Sequence, residues 1–165
     1  MKQDTIVILD LGNCENTILA RAIRELGVYS EIYPHDTTIE ALNAIGNVKG
    51  VIINGGPNNI VDDQPISVNS ELLETNYPIL AVDYESATGL KTFSQWPEDV
   101  EVMKDVLKSF IFDDCQVIAN WNMKNFVADQ VELILRQVGD RKVLLALSGG
   151  VDSSSSCSII NKSYW

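Results

Sequence analysis

Residues 5–27, TIVILDLGNCENTILARAIRELG, decide the fold. The first seven, Thr5–Leu11, are an almost unbroken apolar, β-branched run. Such a run suits a strand covered on both faces, as in a parallel sheet, rather than one with a wet face. The turn GNCENT follows. Ile18, Leu19, Ala22, Ile23 and Leu26 then repeat at helical spacing, and Gly27 stops the helix. One strand feeding one helix through a short turn is the repeating half of an α/β layer protein.

Working outward, the pattern recurs. Residues 28–34 (VYSEIYP) read as a strand with more polar alternation, as suits an edge. Thr37 with Glu40 fits a capping box opening a helix through Leu42 and Ile45. Residues 49–55 (KGVIING) are a third strand ending in Gly55, Gly56 and Pro57. Residues 58–67 lack any period and read as loop, and a short helix fits Ser70–Thr75. Residues 78–83 (PILAVD) are a fourth strand, with Pro78 tolerable only at its start. Strand–helix alternation predicts a three-layer α/β/α unit with a mostly parallel sheet. Beyond Leu90 the sheet pattern fades. The stretch KTFSQWPED (91–99) reads as loop, Val102–Phe110 as a helix, and Asn122 as the cap of a longer helix through Val138, closed by Gly139. Residues 142–148 (KVLLALS) are expected as a fifth strand, either joining the main sheet or belonging to a separate tail unit. Composition shifts near 113–122, which predicts units at 1–112 and 113–165.

The formal net charge of −11 and the absence of any Lys/Arg run argue against nucleic-acid backbone binding. Three widely spaced cysteines, Cys14, Cys115 and Cys157, make neither a metal quartet nor a disulfide framework. No metal ligands are expected. No segment at the start reads as a signal peptide and no apolar run reaches bilayer length, so the expected location is the cytoplasm and no membrane partner is expected.

The loop SGGVDSS (148–154) follows the apolar run. Gly149 and Gly150 allow a sharp turn that aims successive N–H groups at one point, and a helix N-terminus behind them favours an anion. Ser148, Ser153 and Ser154 add hydroxyls, and Asp152 is suited to loop organisation or to a cation. The loop lacks the GKS or GKT ending of a Walker A motif. It resembles the PP-loop of ATP pyrophosphatases, which implies ATP or pyrophosphate with Mg²⁺ as ligand. Neither Lys nor Arg follows in the loop, so the expected affinity is weak.

The front of the chain, with ILDLGNCENTILARAIRELGVYSEIYP (8–34) and KGVIINGGPNNIVDD (49–63), resembles the class I glutamine amidotransferase domain of the GMP synthase family. LKSFIFDDC and the segment from Asn120 to Ser154 resemble that family's passage into its ATP pyrophosphatase domain. The resemblance implies a flavodoxin-like fold and a ligase of purine biosynthesis. Glutamine hydrolysis at a Cys–His–Glu triad supplies ammonia, and xanthosine monophosphate is aminated to GMP with ATP and Mg²⁺.

The departures fall on the triad. Asp83 stands where the family has its nucleophilic cysteine, Glu85 at the elbow glycine and Ala87 at the elbow glutamine. In QWPED (95–99), Trp96 takes the histidine's place and Glu98 the glutamate's. Hydrolysis through a thioester needs sulfur, and the one histidine of the chain, His35, lies in the loop after the second strand. Cys14 is the alternative thiol, without an evident base. Gly55 and Gly56 match the loop whose N–H groups hold the oxyanion, although a tight strand exit before Pro57 explains them more simply. The region between Leu90 and Lys108 is shorter than in the family. The expectation is a shortened or degenerate GMP synthase-like chain without glutaminase activity. A reduced sheet would leave apolar surface bare, which would suit a homo-oligomer. The alternative is a non-catalytic nucleotide- or pyrophosphate-binding or structural α/β module, even a non-natural one.

Overall fold

A computed structural model describes residues 3–61, 63–84, 90–144, 148 and 150–164. The chain divides into two compact units, Met1–Trp121 and Asn122–Trp165.

In the first unit, β1 (Thr5–Leu11) leads into α1 (Asn16–Glu25), then β2 (Tyr29–Pro34), α2 (Ile39–Ile45) and β3 (Val48–Gly55). A two-stranded hairpin, β4 (Ile60–Val61) with β5 (Gln64–Pro65), and the single turn α3 (Ser70–Leu73) precede β6 (Ile79–Val82). Then come β7 (Lys91–Phe93) and α4 (Val100–Lys108), which runs into a π-helical turn, Ser109–Asp114. The main sheet has five strands in the order β2-β1-β3-β6-β7, and all its pairings are parallel. This is the three-layer α/β/α, flavodoxin-like arrangement, with the order reversing beside β1.

Alternation along the strands builds two cores. Ile6, Ile8, Ile52, Leu80 and Val82 face one way, onto Leu19 and Ile23 of α1 and onto Leu107, Phe110 and Ile111. Val7, Leu9, Val51, Ile53, Ile79 and Ala81 face the other, onto Leu42 of α2 and Leu72 of α3. Burial on both faces is the reason β1, β3 and β6 carry continuous apolar runs. Emptying one such position, as in Ile8→Ala, costs about 2–5 kcal/mol.

Several expectations are corrected. Thr38, not Thr37, caps α2 by accepting from the Ala41 N–H, while the Thr37 hydroxyl donates to the Pro34 carbonyl. Residues 58–67 hold a hairpin rather than a plain loop. The fifth strand of the sheet is Lys91–Phe93, within a stretch expected as loop. Lys142, Val143, Leu144 and Ser148 belong to no strand, and Leu144 is 98% exposed. An apolar run becomes a strand only when a sheet edge pairs with it, and β7 takes the β6 edge. Residues 145–147 lie outside the described residues. Cys115 and Val117, expected in the tail, are buried in the first unit's core.

In the second unit, α5 (Met123–Val138) is capped by the Asn122 side chain, which accepts from the Asn125 N–H. The helix α6 (Val151–Tyr164) follows the serine-glycine loop. Among the described residues no helix is long and apolar enough to cross a membrane.

Candidate functional site

The parallel register lines up the C-terminal ends of the strands. Pro34 of β2 pairs with Asp10 of β1, Asp10 with Asn54 of β3, Asn54 with Val82 of β6, and Val82 with Phe93 of β7. One residue further on stand His35, Gly55 and Asp83, along the sheet edge where open α/β sheets bind their ligands.

Asp83 follows β6 directly and lies in the left-handed region, with φ of 49°. Its side chain is exposed, and its N–H donates to the Phe93 carbonyl at 2.9 Å. A non-glycine residue in this conformation is uncommon. It carries a local strain that the surrounding pairing must hold. Glu85 and Ala87, the other elbow positions, lie outside the described residues.

Gly55 lies tight against the elbow. A Cβ on Gly55 would fall 1.9 Å from the Asp83 carbonyl oxygen. A Cβ on Gly56 would fall 2.6 Å from Asn13 Cα, in the turn after β1. Both glycines are therefore required for backbone approach, the role available to them whether or not an oxyanion is ever held.

Trp96 reaches the same place. Its indole Nε1–H donates to Asn54 Oδ1 at 2.8 Å, and its ring packs on the α1/α4 core. Asn54 is 1% exposed. Its Nδ2 donates to Asn16 Oδ1 at 2.7 Å, Asn16 Nδ2 donates to the Asn13 carbonyl at 2.8 Å, and Asn13 Nδ2 donates to the Gly55 carbonyl at 2.8 Å. Sequence reasoning passed over Asn13, Asn16 and Asn54. The available signal was Asn54 itself, an amide at the end of an otherwise apolar buried strand. The structure thus brings Asp83, Gly55, Gly56 and Trp96 together. Glu98 is exposed in the turn before α4, next to the Asp99 that caps it.

His35 is half-buried, with Nδ1 3.0 Å from the Ser67 carbonyl oxygen. It follows β2, and β2 is three strand spacings from β6, roughly 14 Å at about 4.8 Å each. A relay from His35 to Asp83 is out of reach at that separation. Cys14 is exposed, and its Sγ accepts from Asn58 Nδ2 at 3.3 Å. An amide donor cannot serve as the base that a thiol nucleophile needs.

In the second unit, the Gly150 N–H donates to Ser148 Oγ at 3.4 Å, and Ser154 Oγ donates to the Gly150 carbonyl at 2.9 Å. Ser148 and Ser154 are both exposed. The hydroxyls thus brace the turn that opens α6. Gly149 and the side chains of Asp152 and Ser153 lie outside the described residues. The described residues include no group of three metal-ligating side chains.

Comparison with known proteins places the front of the chain. Residues 7–84 match the family model Glutamine amidotransferase class-I. A Bacteroides thetaiotaomicron protein named "Putative GMP synthase (glutamine-hydrolyzing) 2" is 59% identical over 162 residues, covering 98% of this chain and 37% of that protein. The GMP synthase (glutamine-hydrolyzing) of Lactobacillus acidophilus is 31% identical over 236 residues, covering 96% of this chain and 46% of that protein. That of Geobacillus kaustophilus is 29% identical over 238 residues, covering 98% and 46%. Residues 7–84 are thus similar to class I glutamine amidotransferases, nearly the whole chain is similar to part of these GMP synthases, and it spans less than half the length of each of them. The Lactobacillus and Geobacillus matches extend over many more residues than this 165-residue chain contains, so many residues within them have no counterpart here. The Bacteroides match has no such excess, so the compact spacing is shared with a relative.

Proposed function

From a front unit homologous to class I glutamine amidotransferases of the GMP synthase kind, we propose that this chain is a GMP synthase-type unit whose amidotransferase site no longer hydrolyses glutamine. The observation that carries this reading is the elbow: Asp83 holds a left-handed conformation, hard against Gly55. On this reading a carboxylate stands where a thiol would otherwise be presented. Trp96 supports the reading, because an indole N–H hydrogen-bonded to Asn54 has no lone pair with which to accept a proton.

The relatives are named as glutamine-hydrolysing GMP synthases. On this reading the amination of xanthosine monophosphate with ATP draws its nitrogen from ammonia made elsewhere. The loop of Ser148, Gly149, Gly150, Asp152, Ser153 and Ser154 is the proposed grip for the pyrophosphate of ATP, with Mg²⁺ offsetting the acidic balance of the chain.

Two experiments test the two halves. The single change Asp83→Cys restores a thiol without a base, and we expect it to release no ammonia from glutamine. Saturable turnover by that variant would overturn the first half. Calorimetric titration with pyrophosphate and Mg-ATP tests the second. Weak heats that vanish in Gly149→Val are expected, and identical heats in both forms would remove the loop from the account.

A further inference from the structure

We infer that Trp96 is an internal ligand: its indole fills the place beside Asn54 that a planar N–H donor would otherwise take, and it thereby excludes free carboxamides from the Asp83 end of the sheet. The inference rests on reading this sheet end as the amidotransferase site only where carboxamides are concerned. The occupancy itself stands on geometry.

Asn54 is a primary amide held at the end of β3 with almost no solvent contact. A buried amide can offer a ligand one acceptor and two donor hydrogens. Here its oxygen takes the Trp96 indole N–H at 2.8 Å, with a long contact from Asn13 Nδ2 at 3.5 Å. Its Nδ2 is directed into Asn16 Oδ1. The oxygen that could receive a substrate's N–H is therefore satisfied from within the chain, by a group whose flat ring also packs against the buried cluster on the α1/α4 side of the sheet. The donor comes from the turn between β7 and α4, and the acceptor from the strand that abuts the Asp83 elbow. A free carboxamide that displaced the indole would leave a large apolar ring to be re-solvated and gain only an equivalent hydrogen bond. Exclusion follows because the tethered group pays no association entropy.

Removing the ring should turn the internal ligand's place into a binding site for its free counterpart. In Trp96→Gly, indole at ten times its dissociation constant is expected to raise the folded-to-unfolded ratio about 11-fold. 1-Methylindole, which fills similar space but has no N–H to give Asn54, should do far less, and wild type should respond to neither. Equal effects of the two compounds, or none from indole on a folded Trp96→Gly, would overturn the proposal.

Should Trp96→Gly fail to fold, wild type decides by nuclear magnetic resonance. The Trp96 indole N–H, assigned by its loss in Trp96→Phe, is expected to exchange slowly. The Asn54 side-chain amide resonances should stay unmoved as glutamine is added. Rapid exchange of the indole, or a saturable shift of the Asn54 amide in wild type, would overturn it. Failure of this proposal is distinct from failure of the glutaminase reading, since ammonia release by the wild-type chain is measured separately.

Discussion

At the residue scale, Asp83 carries the most information. Its φ of 49° costs an L-residue roughly 1–2 kcal/mol. Glycine removes that cost but adds about 0.5–1 kcal/mol of chain entropy to the unfolded state. The balance predicts that Asp83→Gly stabilises the protein by about 0.5 kcal/mol. Asp83→Val, whose branched Cβ resists this conformation, should instead destabilise it by about 1–2 kcal/mol. Denaturant unfolding of the pair checks this, and the opposite order would mean that the elbow is unstrained. The identity of residue 83 was legible in the sequence, since it ends a clear strand. The conformation was not, because a positive φ in a non-glycine residue is imposed by neighbours such as Gly55 and the Phe93 carbonyl. Trp96 was legible only as a substitution, because its partner Asn54 is 42 residues away and no local pattern joins them.

At the element scale, β2 places Tyr29, Glu31 and Tyr33 at alternate positions on one face of an edge strand. Both tyrosine hydroxyls donate to the Glu31 carboxylate, at 2.6 and 2.9 Å. Burial, and then the bond to Glu31, push the Tyr33 hydroxyl up to about 12 and raise Tyr29 well above the ordinary tyrosine range. The folded form thus holds these protons more tightly than the unfolded chain. Their contribution to stability is fully present below about pH 10, the ordinary tyrosine value, and is lost as pH rises through 12. Ultraviolet titration should show two of the five tyrosines ionising late, with Glu31→Gln bringing both back toward 10. Unchanged titration in that variant would remove Glu31 as a cause.

The elements themselves were read well where the period was strong, in β1, α1, β3 and β6. They were misread where length and context decide. Lys91–Phe93 is too short to carry a period, yet it pairs beside β6. Lys142–Leu144 looks like a strand and pairs with nothing. Amide exchange separates them: slow exchange throughout β1 and fast exchange at Lys142, Val143 and Leu144 are expected. Equal protection of the two segments would restore the strand that the sequence suggested.

At the scale of the whole molecule, the five parallel strands form a sheet edge of the kind where open α/β sheets bind ligands, with Asp83 and His35 standing on it. The sheet class was legible because alternating strands and helices constrain topology strongly. The state of the site was legible only in outline, through Asp83 and through a single histidine. Its packing needed the register that brings β1, β3, β6 and the Trp96 turn together. The register also explains why one histidine cannot compensate: His35 and Asp83 share a row but stand three strands apart. The central claim is that this edge does not hydrolyse glutamine. The measurement that tests it most directly is ammonia release from glutamine by the wild-type chain, with and without Mg-ATP and xanthosine monophosphate. The account predicts release at the rate of the protein-free control under every condition. Saturable release, abolished by Asp83→Asn or by Cys14→Ser, would contradict it.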